Sequence, residues 1–451
     1  MKKSRSTKKL DVSASLLETE NVDSNPALVP KLRFPGFRKE SGWFERHGEF
    51  LFDQINERNS NCTFPVLAIT QEHGAIPRDM IDFHVSVTDK SIESYKVVRV
   101  GDFIISLRSF QGGIEYSRHN GICSPAYVVL RRRIEGSDEY FKHYLKTNRF
   151  IQILTRNLEG LRDGKMISYK QFSELLIPIP TTAEQQKIAD CLNSLDELIG
   201  EQGRKVDALR THKKGLMQQL FPREGETQPQ LRFPEFQDAG DWEEELFRTI
   251  YDFMPTNTYS RDKLNYVSGQ TKNIHYGDIH TKFQTMFRIC RELVPFVNSS
   301  ESLGTVKADA YCQEGDMVFA DASEDLNDVG KSIELVDLNG EMVLSGSHTI
   351  LARQKGTIFV VGFAGYLFKG RGIRAQIEKE SQGTKVLQIS PRRLADIKIV
   401  FPRNHAEQQR IGSCLSSLDD LITAETQKLE ALKTHKRGLM QQMFPSPEEA
   451  S

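Results

Sequence analysis

No surplus of positive charge marks this chain. Its 451 residues carry 60 lysines and arginines against 61 aspartates and glutamates. Nucleic-acid binders usually show a basic excess or a basic patch, so any such contact here has to come from local grouping of cations. Zinc-ligand spacing is missing too. The six cysteines, Cys62, Cys123, Cys191, Cys290, Cys312 and Cys414, form no Cys-x-x-Cys pair, which leaves reduced thiols in a cytoplasmic protein as the expectation. Long apolar runs are absent. The longest, TIFVVGFAGYLF at 357–368, falls well short of the ~20 residues a membrane span needs. The basic opening MKKSRSTKKLD has no apolar stretch behind it, so neither a secretory signal nor a membrane partner is expected.

Signatures of catalysis are also missing. Gly-Lys-Ser at 330–332 would close a P-loop only with glycine at 325, and that residue is Asp325. The stretch GFAGYLFKGRG at 362–372 is glycine-rich without dinucleotide-binding spacing, and a turn beside a strand is expected there. No Asn-Pro-Pro-aromatic or His-Glu-x-x-His motif occurs, and the eleven histidines show no ligand spacing. A chain with no catalytic site, cofactor or metal of its own is the expectation.

What the chain has instead is a repeat, the feature that most constrains a fold when present. AEQQKIADCLNSLDELI at 183–199 returns as AEQQRIGSCLSSLDDLI at 406–422. Over 183–222 and 406–445, 25 of 40 positions are identical. Upstream, LRFPGF at 32–37 returns as LRFPEF at 231–236, and Trp43 and Trp242, the two tryptophans of the chain, keep the same offset. The order is therefore LRFP and tryptophan, a variable body, an AEQQ segment, and the same again.

The AEQQ segments carry apolar residues at alternating spacings of four and three, the seam of a coiled coil. The first copy places Ile188, Leu192, Leu195, Ile199, Val206, Leu209, Leu216 and Leu220 on the seam. The second places Ile411, Leu415, Leu418, Ile422, Leu429, Leu432, Leu439 and Met443 there. Two seam sites are polar in each copy, Gln202 and Lys213 in one, Glu425 and Lys436 in the other. Polar seam residues cost stability and fix register. Thr181 or Thr182 can cap the first helix and Asn404 the second, while Pro222 and Pro445 stop them. A seam this long needs a partner, and the simplest is the other copy, packed antiparallel about a pseudo-two-fold axis.

The bodies, about 45–180 and 243–402, share scattered patterns. Gly101-Asp102 before Phe103-Ile104-Ile105 resembles Gly315-Asp316 before Met317-Val318-Phe319, a turn followed by a strand. SPAYVVLRR at 124–132 parallels SGSHTILAR at 345–353, and the ends LLIPIP and IKIVFP each read as a strand before the long helix. The fold class is mixed α/β or α+β: two globular bodies and two long antiparallel helices. The expected divisions are a flexible lead over 1–29, a first body over 30–180, a helix over 181–222 and a linker over 223–229. A second body over 230–402, a helix over 403–445 and a tail over 446–451 complete the chain.

With these motifs assembled, nearly the whole chain from about 30 to 445 resembles the DNA specificity subunit of type I restriction–modification enzymes. The resemblance rests on LRFP with its tryptophan before each body, AEQQ opening each helix, and the THKKGLMQQLFP-type endings. It implies that each body is a target recognition domain reading one half of a bipartite, asymmetric site on double-stranded DNA. It implies that the helices set the spacer and dock two methyltransferase subunits, with two restriction–translocation subunits completing the assembly. S-adenosylmethionine, ATP and magnesium would belong to those partners. The competing reading is a coiled-coil scaffold presenting two protein-binding domains without DNA recognition.

Given that resemblance, candidate DNA contacts are polar residues on loops beside the strands. In the first body they are Arg108, Ser109, Gln111, Tyr116, Arg118 and Asn120, with Arg162 and Lys165 farther on. In the second they are Arg261, Lys263, Asn265, Gln270, Lys272, Lys369, Arg371, Arg374, Gln382 and Lys385. Arginine and glutamine can pair bidentately with guanine and adenine edges in the major groove. The bodies carry formal charges of +1 and −2, so phosphate contact would depend on clustering and on the partner subunits.

Overall fold

The computed structural model describes residues 28–58, 64–81, 92–156, 167–301, 303, 304 and 306–445. Contacts divide the chain into two compact units: Met1–Gln202 with Lys428–Ser451, and Gly203–Gln427. Each unit is discontinuous in sequence or helix. The first takes the start of helix α1 (Thr182–Leu220) and the end of helix α2 (His405–Met443), and the second takes the end of α1 and the start of α2.

In the first unit a four-stranded antiparallel sheet runs in the order Phe52–Ile55, Val128–Arg132, Phe103–Ile105, Glu115–Tyr116. Strand Phe44–His47 pairs separately with Leu176–Ile179, the strand that leads into α1. Phe52 lies edge-on to Phe103, Phe141 and Phe172 at 5.4, 5.0 and 5.7 Å. That geometry favours aromatic rings beyond simple burial, and it ties sheet and helices into one core.

The second unit repeats this frame and enlarges it. Its five-stranded sheet runs Tyr251–Met254, Thr349–Gln354, Met317–Ala320, Ser332–Asp337, Met286–Arg288. The first three strands correspond in order and antiparallel pairing to the first three of the other unit. Glu243–Leu246 pairs with Lys398–Phe401 as Phe44–His47 pairs with Leu176–Ile179. The last strand of the sheet pairs parallel with its neighbour, and a further four-stranded sheet is added.

The shared Gly-Asp turns explain themselves. Gly101 and Gly315 have φ of 96° and 88°, where a side chain is strained. Asp102 accepts from the Arg99 N–H at 2.8 Å and from Arg131 at 2.7 and 2.8 Å. Asp316 accepts from the Gln313 N–H at 2.8 Å and from Arg353 at 2.9 and 2.7 Å. In both units the aspartate closes the turn and pins it to the arginine of the neighbouring strand.

Two regions differ from expectation. Residues 362–372 do not form a turn beside a strand. They form helix Ala364–Leu367 and start helix Arg371–Glu380. The cause is Glu334, buried on a strand, whose carboxylate accepts the N–H groups of Gly362 and Gly365 at 2.7 Å each and so anchors the turn that opens the first of these helices. In the first body, helices Asp138–Tyr144 and Asn148–Arg156 carry no counterpart in the sequence reading.

All sixteen apolar seam residues are buried or half-buried. In the first unit Ile188 and Leu192 of α1 share a core with Leu439, Met443 and Phe444. In the second, Ile411 and Leu415 of α2 share one with Leu216, Leu220 and Phe221. Lys436 reaches Asp196 at 2.5 Å in the first unit and Lys213 reaches Asp419 at 2.5 Å in the second. In the second unit the pairing runs antiparallel: Lys205 meets Glu425 while Lys213 meets Asp419. Thr181 caps α1 through the Glu184 N–H at 3.3 Å, and Asn404 caps α2 through the Ala406 N–H at 2.9 Å. Among the described residues no helix is long and apolar enough to cross a membrane, and the described cysteines are free thiols.

Candidate nucleic-acid interface

Any loop that reads a ligand must be held by a rigid frame, and here the repeated motifs supply it. Arg33 of the first LRFP clamps Glu184 of α1 with two hydrogen bonds of 2.7 Å, and both side chains are buried. Arg232 of the second LRFP clamps Glu407 of α2 at 2.7 and 2.8 Å. Next along each helix, Gln185 accepts the Ser137 N–H and donates to the Pro180 carbonyl, both at 3.0 Å. Gln408 accepts the Val360 N–H at 2.9 Å and donates to the Pro402 carbonyl at 2.8 Å. The helix ends meet the LRFP segments in the same way. The Leu32 N–H donates to the Gln442 carbonyl and the Leu231 N–H to the Gln219 carbonyl, each at 2.9 Å, satisfying carbonyls that a helix end leaves open.

These joints give LRFP, tryptophan and AEQQ a mechanical meaning. Like joints grip unlike bodies, and the loops of those bodies are left to vary. No cluster of three or more metal-ligating side chains exists among the described residues.

In the first unit Arg108, Gln111, Arg118 and Asn120 are exposed. Arg118 stands 3.6 Å from Glu139, and Asn120 accepts the Val100 N–H at 3.1 Å. Ser109 is turned inward, with its hydroxyl accepting the Ser106 N–H at 2.9 Å, so it holds the loop and does not face solvent. Tyr116 is half-buried against Phe103 at 5.3 Å, and burial, with Glu139 and Asp138 nearby, pushes its phenol up to about 12. Arg162 and Lys165 lie outside the described residues.

In the second unit Gln270, Arg371, Gln382 and Lys385 are exposed. Arg261 is committed to Asp278 at 2.8 and 3.0 Å, with the Tyr266 hydroxyl at 3.0 Å. Lys263 pairs with Glu301 at 3.0 Å and Lys272 with Glu341 at 2.6 Å. Asn265 accepts from the N–H groups of Val267 and Ser268 at 2.9 and 3.0 Å, shaping a loop whose tip, Val267, is 88% exposed. Lys369 and Arg374 are half-buried. Arg374 donates to the Asn327 carbonyl at 3.1 Å, and burial lowers its pKa. The basic side chains Lys282, Arg288, Arg291 and Lys331 were not singled out by the sequence, since no local pattern sets them apart from ordinary surface cations.

A family model supplies the decisive comparison. The type I restriction modification DNA specificity domain matches residues 44–207 and 343–434, spanning body, helix, and the second strand-and-helix set. The chain belongs to this family. Two relatives from Methanocaldococcus jannaschii are each 24% identical to this specificity chain. The type I restriction enzyme MjaVIII specificity subunit aligns over 79% of this chain and 80% of its own length. The putative type I restriction enzyme MjaX specificity subunit aligns over 78% and 80%. Among solved structures, the S subunit of a type I restriction–modification system from M. genitalium superposes with a TM-score of 0.50 at 14% identity, covering 93% of this chain and all of that one. A chain from a study of complex assembly and conformational transition in the type I system gives 0.53 at 17% identity, covering 90% and 98%. At such identities the likeness concerns the fold. By its family the chain is a specificity subunit, the non-catalytic component of a type I restriction–modification system.

Proposed function

We propose that each body reads one half of an asymmetric, bipartite site on double-stranded DNA, while the paired helices fix the unread spacer and dock methyltransferase subunits. The observation that carries this reading is the pair of equivalent joints, Arg33–Glu184 and Arg232–Glu407, holding bodies of unlike sequence. A device that repeats its grip and varies what is gripped suits two independent readers. Of the candidates, the side chains best placed for base or phosphate contact are those left exposed with neither an ion pair nor a side-chain hydrogen bond among the described residues. They are Arg108 and Gln111 in the first body, and Gln270, Arg371, Gln382 and Lys385 in the second. Arginine and glutamine can read base edges, and lysine can neutralise phosphate.

The partner subunits would supply methylation and ATP-driven cleavage, with S-adenosylmethionine, ATP and magnesium held there. The test is to sequence methylated positions in cells carrying this chain with its methyltransferase partner. Two unlike half-sites separated by unread bases are expected, and replacing residues 230–402 with another such body should change one half alone. A continuous palindromic site would contradict the reading.

A further inference from the structure

The second unit contains a cavity of about 530 Å³ that is lined by none of the side chains proposed above for base or phosphate contact. Its walls are the edge strand Met286–Arg288, the end of helix Ala364–Leu367, and one face of α2 from Ser416 to Gln427. Six basic side chains line it: Arg210, Lys282, Arg288, Arg291, Lys331 and Lys369. Two carboxylates face them, and both are engaged. Asp419 binds Lys213 at 2.5 Å and the Tyr366 hydroxyl at 2.7 Å, and Asp420 binds Arg291 at 2.7 Å. Arg288 and Lys369 have no carboxylate partner among the described residues.

Lys369 is the informative member. Its ammonium donates to the hydroxyl of Thr285. Burial, with Lys213 and Lys331 nearby and Asp419 offsetting them only in part, lowers its pKa to about 8. Like charges in a desolvated place are unfavourable without an anion to balance them.

The first unit shows how the fold can resolve this. Lys146 stands two residues beyond helix Asp138–Tyr144, as Lys369 stands two beyond Ala364–Leu367. Three residues before each, His143 lies 4.0 Å from Asp196 and Tyr366 bonds Asp419. In the first unit the lysine is ion-paired with the buried carboxylate of Glu115. The second unit keeps the lysine, offers it only a hydroxyl, and opens a cationic cavity beside it.

We propose that this cavity binds a phosphate group, with Lys369 and Arg288 as its principal contacts. Arginine presents a planar fork of donors and lysine a point charge, the two usual partners of phosphate oxygens. The cavity is far larger than a chloride or a carboxylate requires, and it has room for the sugar attached to a phosphate. The phosphate is either one of a bound duplex, in which case this inference rests on the DNA-reading function, or that of a free phosphoryl compound. The clustering also places cations together in a body whose formal charge is −2.

The experiment uses the full chain and inorganic pyrophosphate. Calorimetry should show binding that falls at least tenfold in Thr285→Glu, which supplies the carboxylate the first unit has, and in Arg288→Ala. Acetic anhydride labelling at pH 8, read by mass spectrometry, should modify Lys369 readily and show protection by pyrophosphate. Lys369→Met, which removes a half-buried charge without a carboxylate partner among the described residues, serves as the variant expected to fold at least as well, with Trp242 fluorescence as the check. The DNA arm separates the sources. A salt dependence of DNA binding shallower by about one unit of slope in R288A assigns the site to a backbone phosphate. An unchanged slope with lost pyrophosphate binding assigns it to a free phosphoryl compound. Intact sequence-specific DNA binding, with no pyrophosphate binding, no protection and no change of slope, overturns the proposal and leaves the DNA-reading function standing. A chain that binds pyrophosphate through these residues yet binds no specific DNA supports the cavity and sinks that function.

Discussion

Breaking the second joint gives a sharp test of how the bodies are held. Glu407 and Arg232 have side chains only 1% and 9% exposed. Removing either partner leaves an uncompensated buried charge, at a cost of roughly 3–5 kcal/mol, whereas removing both costs far less. Glu407 also accepts the indole N–H of Trp242 at 3.2 Å, a bond contributing about 1 kcal/mol. Arg232→Met should therefore destabilise the second unit by about 3–4 kcal/mol and Glu407→Leu by about 4–5 kcal/mol. The double variant should fall at least ~3 kcal/mol short of the sum, as expected for groups in direct contact. The assay is urea unfolding followed by Trp242 fluorescence in a Trp43→Phe background, where the signal belongs to the second unit alone. The same cycle on Arg33 and Glu184, read by Trp43 in a Trp242→Phe background, should lack the indole increment, because the Trp43 N–H has no partner among the described residues. Additivity within about 0.5 kcal/mol in the Arg232–Glu407 cycle would refute the clamp.

One buried group in each unit, His143 and Glu334, should answer pH in opposite senses. Burial, reinforced by Lys142 and Lys436, lowers the pKa of His143 to about 4, so the unfolded first unit takes up a proton before the folded one. Its stability is full above about pH 6.5 and is lost as pH falls towards 4, by on the order of 3 kcal/mol, and His143→Gln should flatten the Trp43-reported curve. Burial raises Glu334 to about 7 against the pull of the Gly365 and Gly362 N–H groups. The unfolded chain then releases that proton first, so the second unit loses on the order of 3 kcal/mol as pH rises from about 4.5 to 7, a slope Glu334→Gln should remove from the Trp242-reported curve. Gly315→Ala should cost about 1–3 kcal/mol in urea unfolding through strain at positive φ. Adding one heptad to both helices, after 202 and after 427, lengthens each by roughly 10 Å. Methylated half-sites should then move apart by about three base pairs, and an unchanged spacer would count against the ruler.

The sequence showed the frame better than the site, and the reason is distance along the chain. Periodicity is local, so the seam of α1 and α2 could be read directly, down to the polar positions at Lys213 and Lys436. The Gly-Asp turns and the capped helix starts are equally local. The Arg33–Glu184 and Arg232–Glu407 clamps join residues 151 and 175 apart, and no spacing rule couples such positions. A signal was nevertheless present: both halves of each clamp sit inside repeated motifs, and so do Asp196 with Lys436 and Asp419 with Lys213. Repetition that amphipathicity does not explain is a mark of pairing. The helix Asn148–Arg156 carries a local signal of the same kind, Phe150 and Leu154 four residues apart on its buried face, yet two apolar positions are too few to set it apart from a loop before the fold is known.

Ligand contacts leave no comparable trace. Arg261 and Arg371 look alike in sequence, yet Asp278 engages one and the other stands exposed. Which cations remain free depends on where the fold brings carboxylates. Lys146 and Lys369 show this within one chain: equivalent positions, the same residue, and opposite fates decided by Glu115 in one unit and Thr285 in the other. A recognition surface is thus set by the anions that the fold withholds as much as by the cations it displays, and the first quantity appears only once the chain is folded.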